Sequence, residues 1–170
     1  MFNKTDIEKY FNAEKSESLV FLLVGIAGII TAVGFFIFLK DNFYKGAAVP
    51  LLLIGLLLGV IGFTVYKRSD ADRIRNVYAY DLNPSELKQN EIPRMQTVMK
   101  NFVIYRWVEI ILGIAGVALY FYFKNNSELQ FWKGFGLSLT IMALIALSAD
   151  YFAEKRGEIY LQALISFFNK

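Results

Sequence analysis

Apolar positions along this chain fall into four blocks, Leu19–Leu39, Ala47–Tyr66, Trp107–Phe123 and Phe131–Ala149, separated by charged stretches. A helix needs roughly 20 apolar residues to cross a hydrocarbon core about 30 Å thick. The first two blocks meet that length cleanly. The third is short and carries Glu109, and the fourth opens beside Lys133. Both are still read as spans, because they stand where the first two stand in an internal repeat. Gly25-Ile26-Ala27-Gly28 returns as Gly113-Ile114-Ala115-Gly116, Phe43-Tyr44-Lys45-Gly46 as Phe131-Trp132-Lys133-Gly134, and Lys67-Arg68 as Lys155-Arg156, each 88 residues later. Self-similarity at a fixed offset constrains architecture before any other feature does. The pattern predicts an all-α integral membrane protein. It is a four-transmembrane-helix bundle built from two tandem helical hairpins (an internal duplication), with helical cytoplasmic extensions.

Five segments follow. Residues 1–17 read as an N-terminal amphipathic interfacial helix: Thr5-Asp6-Ile7-Glu8 has capping-box spacing, and Ile7, Tyr10 and Phe11 share a face. Residues 6–15 would then lie on the membrane surface. Residues 18–66 form the first hairpin and 107–152 the second. The connector 67–106 contains no glycine, and Ile74, Val77, Tyr78 and Asp81 recur at helical spacing, so the second span should continue into the cytoplasm. Asn83-Pro84-Ser85-Glu86 has the composition of a helix start, and Pro93 offers another. From there Met95, Met99, Phe102 and Val103 lead into the third span. Residues 153–170 form a C-terminal cytoplasmic helix with Ile159, Tyr160, Ala163, Leu164 and Phe167 on its apolar side. Apolar stripes that leave the membrane must be buried, so these extensions should continue the bundle.

Charge sets the expected orientation. Lys4, Lys9 and Lys15 precede the first span; eight Lys or Arg (Lys67, Arg68, Arg73, Arg75, Lys88, Arg94, Lys100 and Arg106) lie in the connector; Lys155, Arg156 and Lys170 follow the last span. The two short loops hold only Lys40, Lys45, Lys124 and Lys133. By the positive-inside bias both termini and the connector are cytoplasmic, while residues 40–46 and 124–130 face outward in a bacterial inner membrane. The first apolar block is longer than a signal-peptide core and mixed acids and bases precede it, so it reads as a retained anchor. Net charge is only +3 with acids interspersed, which argues against a nucleic-acid partner and for contact with lipid headgroups.

Chemistry is sparse. The 170 residues include no cysteine and no histidine, which removes thiolate metal sites, disulfides and the usual neutral-pH proton carrier. No phosphate-binding glycine loop is present, and Ser138, Thr140 and Ser148 have only Asp150 as a conceivable base. No cofactor or metal is expected, and no enzyme. The intramembrane charges worth attention are Glu109 and Asp150, whose repeat counterparts are Phe21 and Gly62. Such groups are functional candidates by default. They could hold a cation or share a proton, or be neutralised structurally, Glu109 by Arg106 three residues earlier and Asp150 by Lys67, Arg68 or Arg156. Small residues mark helix packing: Gly25, Gly28 and Ala32, then Gly55, Gly59 and Gly62, then Gly113 and Gly116. These faces serve contacts within the chain or a homodimer seam. The resulting expectation is a non-enzymatic membrane protein acting through a protein partner as scaffold, accessory subunit or immunity-type protector. The alternative is a small homo-oligomeric ion channel or transporter.

Overall fold

The computed structural model describes residues 2–169 and is all-helical over them. Four long helices account for most of the chain: α1 (Lys4–Phe38), α2 (Asn42–Leu82), α4 (Ile92–Phe123) and α5 (Gln130–Phe168). A single turn α3 (Pro84–Glu86) and a π-helical turn Leu87–Glu91 join α2 to α4. The starts keep the sequence period: Lys4 and Ile92 are 88 residues apart, as are Asn42 and Gln130 (92 − 4 and 130 − 42).

The four helices are longer than a membrane crossing requires. The four helices contain 35, 41, 32 and 39 residues. At 1.5 Å per residue they run about 48 to 62 Å, well beyond a hydrocarbon core of about 30 Å. All four are long and apolar enough to cross a membrane.

α1 packs along α2 and α4 along α5; the two hairpins meet through α2 and α5, with a lighter contact of α1 on α5. At the end of the bundle that carries the two short loops the junction is reciprocal. A Cβ on Gly46 would overlap the backbone of Phe131, and a Cβ on Gly134 would overlap the backbone of Phe43. Gly46/Gly134 and Phe43/Phe131 are each one repeat apart, so the contact is self-complementary in the manner of a twofold interface. The motif Phe-aromatic-Lys-Gly recurs because both copies perform the same close approach.

At the opposite end the extensions bury a shared apolar core of Phe2, Ile7, Tyr10, Phe11, Ala79, Leu87, Met95, Tyr160 and Leu164. Ile7 and Met95, one repeat apart, are both fully buried. Residues 6–15 are therefore not a separate helix on the membrane surface. They are the first turns of a continuous α1, and their apolar face is covered by α2, the π-helical turn and α5 because burial in protein removes it from water entirely. The cap also differs from expectation. Asn3, not Thr5, caps α1: its side chain accepts from the Asp6 N–H at 3.2 Å while the Asp6 carboxylate accepts from the Asn3 N–H at 2.8 Å. The first loop is shorter than residues 40–46, since Asp41 accepts from the Phe43 N–H at 2.7 Å and starts α2 at Asn42.

Candidate functional site

The two hairpins serve as controls for one another. In the first, small residues let α1 and α2 touch backbone to backbone. A Cβ on Gly25 would lie 2.6 Å from the Gly55 carbonyl oxygen and the Gly59 nitrogen, and one on Gly62 would lie 2.5 Å from the Leu22 nitrogen and 2.6 Å from the Ser18 oxygen. Gly28 approaches Leu51 and Gly55. Gly59 behaves differently from its neighbours. Its backbone is part of the contact with Gly25, but its own Cβ direction meets nothing within 4 Å, so it does not face α1 as the spacing of Gly55, Gly59 and Gly62 suggests.

In the second hairpin the close approach survives only toward the short-loop end. A Cβ on Gly116 would come within 2.5 Å of the Thr140 hydroxyl and 2.7 Å of the Gly136 oxygen, whereas one on Gly113 would make an ordinary 3.7 Å contact with Ala143. Farther inward the counterparts of Gly59 and Gly62 are Leu147 and Asp150. Asp150 stands where Gly62 permits the first hairpin to close, and its side chain keeps the two helices apart. There a cleft of about 470 Å³ opens, its walls formed from α4 by Arg106 and Ile110 and from α5 by the stretch from Leu147 to Glu154 that includes Ser148, Asp150 and Tyr151.

The charges around this cleft are paired otherwise than their spacing implies. Arg106 does not turn back to Glu109. It crosses to α5 and donates through Nη2 to Glu154 Oε1 at 3.1 Å, because a long side chain at a span's end reaches toward water and Glu154 is one turn farther out than Asp150. Of the cations expected to neutralise Asp150, Arg68 pairs with Asp72 and Arg156 with Glu17. Glu109 instead lies against Asp150, carboxyl to carboxyl. Its Oε2 is buried without a hydrogen-bond partner. Among the described residues no Lys or Arg forms an ion pair with either acid.

A second polar cluster, in the extensions, was not visible in the sequence. Glu91 is 2% exposed and receives Arg94 bidentately, at 2.8 and 2.7 Å. Arg94 also stacks over Phe11 and Arg156 over Tyr10, while the Tyr10 and Tyr160 rings stack with centroids 4.2 Å apart. Tyr10 and Ser69 donate to Glu14 at 3.4 and 3.0 Å. Burial works against the Arg94 charge, yet the paired Glu91 outweighs it and holds the guanidinium protonated. Burial pushes both phenols well above the usual tyrosine value, with Glu14 adding at Tyr10 and Glu91 at Tyr160. The available sequence signal was Glu91 and Arg94 at i, i+3 beside a buried Met95. This cluster joins α1, α2, the π-helical turn, α4 and α5; its members face one another, so it fastens the two hairpins. Among the described residues no group of three or more His, Cys, Asp or Glu is placed to hold a metal ion. Comparison of the chain with protein-family models, curated proteins and solved structures returns no match.

Proposed function

We propose that this chain is a non-enzymatic multi-pass protein of a bacterial inner membrane, its termini cytoplasmic, that acts by binding another membrane protein as scaffold, accessory subunit or protector. One observation carries the reading. Ile74, Tyr78 and Leu82 on α2 are 64%, 65% and 65% exposed. They lie about 12, 18 and 24 Å beyond Tyr66, where the apolar block ends, at 1.5 Å per residue. The charged run from Lys67 to Arg73 separates them from lipid. In the other hairpin the equivalents of Ile74 and Tyr78 are Gln162 and Ser166, both exposed. The second hairpin keeps Ile159 exposed on this face but carries polar side chains at these two positions, so the continuous apolar stripe belongs to the first copy.

The stripe also continues upward. Leu53, Leu57 and Val60 are exposed on the same face of α2, at steps of three to four residues. An occupant suited to the whole stripe is a helix that crosses the bilayer beside α2 and follows it into water, which a second membrane protein supplies. Full-length protein recovered from native membranes in mild detergent should bring down a stoichiometric membrane partner, and Tyr78→Glu should release it. Recovery of the wild type alone, or a partner retained by Tyr78→Glu, overturns the reading.

A small homo-oligomeric channel or transporter is the second reading, supported by the paired Glu109 and Asp150. Within one chain α2 and α5 occupy the middle and α1 and α4 flank them, so a path for ions would have to form between subunits. Ion flux into liposomes that Glu109→Gln abolishes would favour this reading over partner binding.

A further inference from the structure

We propose that the cleft at the inner end of the second hairpin binds one phospholipid with a primary-amine headgroup. The proposal rests on reading the four long helices as membrane spans. Its polar lining residues, Arg106, Asp150 and Glu154, sit where the third and fourth apolar blocks end, at Trp107 and Ala149, which is headgroup depth. Ile110 and Leu147 lie a turn deeper, toward the acyl region. The cleft volume, about 470 Å³, falls within the range of about 300–1,000 Å³ typical of small-molecule sites.

The charges match a headgroup of this type from both ends. Arg106 directs one N–H to Glu154 and its side chain remains 44% exposed, leaving donors of a five-donor guanidinium for a phosphate oxygen. Asp150, on the cleft wall, is backed by Glu109 and has no cation in ion-pair contact. A primary ammonium brings a positive charge and three N–H donors to this pair. A choline headgroup brings the charge without the donors. A glycerol headgroup keeps the phosphate contact to Arg106 but brings no cation to the carboxylates of Glu109 and Asp150, so its net negative charge is opposed there.

The first hairpin shows that the fold itself does not require the cleft. There Gly62 closes onto Ser18 and Leu22, and Phe21 stands in place of Glu109. Two substitutions of the repeat thus create both the opening and its charge, and they do so on one side of the molecule only.

The test uses the full-length protein in detergent, offered phospholipids with identical acyl chains and an ethanolamine, choline or glycerol headgroup, with bound lipid counted by native mass spectrometry. One ethanolamine lipid should be retained about tenfold more strongly than either competitor, a difference of about 1.4 kcal/mol. The double variant Glu109→Gln/Asp150→Asn, which removes a like-charge pair and so should fold, should lower ethanolamine retention to the choline level. Leu147→Trp, which fills the cleft and keeps every charge, should expel the lipid altogether. Equal retention of the three headgroups, or a preference unaltered by both variants, overturns the site and leaves only a general lipid annulus. A protein that remains soluble without detergent would overturn the membrane reading instead, so the two failures are distinguishable.

Discussion

At Gly62 the absent side chain is what allows Ser18 and Leu22 of α1 to rest on α2, since a Cβ would intrude to 2.5 Å. On the membrane-spanning reading no hydrophobic force draws these helices together, and such close approach supplies much of the packing energy. Gly62→Leu should therefore abolish the folded hairpin, seen as loss of a monodisperse species and of a thermal transition in detergent. Gly59→Leu should melt close to the parent, because its Cβ points into open space and leucine raises helix propensity by somewhat under 1 kcal/mol. Matching losses at both positions would mean that the α1–α2 contact is not the one described. At the other hairpin, a double-mutant cycle should find the Arg106 partner to be Glu154. Coupling between Arg106→Gln and Glu154→Gln should be about 0.2–1 kcal/mol, as befits a half-exposed pair. Coupling between Arg106→Gln and Glu109→Gln should be near zero.

Among the elements, the first four turns of α1 illustrate how tertiary context reassigns a segment. Ile7 and Phe11 are 0% and 1% exposed, enclosed by α2, α5 and the π-helical turn. Phe11→Ala should cost about 3–5 kcal/mol, measured as a lowered melting temperature, whereas a surface-lying helix would barely register the change. The same core predicts sensitivity to alkali. Burial raises the Tyr10 and Tyr160 phenols above the value of 10 that they have when unfolded. The folded state then keeps its protons where the unfolded state loses them, so stability is fully present below pH about 10 and falls as pH rises beyond it. The double variant Tyr10→Phe/Tyr160→Phe should flatten that decline. A decline of equal slope in the variant would place its origin elsewhere.

Over the whole molecule, the two hairpins are joined at the short-loop end by the Gly46–Phe131 and Gly134–Phe43 contacts and at the opposite end by the aromatic core. Two even-numbered hairpins in tandem should share one orientation. Reporter fusions after residues 44, 85, 127 and 170 should accordingly read outside, inside, outside, inside, as the distribution of Lys and Arg requires. An inside signal at residue 127 would remove the second hairpin as a spanning unit.

What the residues determined alone was periodic and local. Four apolar blocks, their offset of 88 residues, the helical continuation of each span and the small-residue faces all follow from spacing, because hydrophobic length and 3.6-residue periodicity act within one element. Partner choice did not follow. Arg106 and Glu109 are adjacent on a helix surface, yet Arg106 pairs with Glu154, since the energy of an ion pair depends on which helix stands opposite and at what depth. Gly59 fits the same spacing as Gly55 and Gly62, yet points away, since a helix has no single face until another packs on it. Glu91 and Arg94 are ordinary charges in sequence; only the converging aromatic rings of Phe11, Tyr10 and Tyr160 make them interior. The cleft likewise exists in neither hairpin's sequence by itself. It appears where Asp150 occupies the position at which the other copy needs a glycine, Gly62, to close.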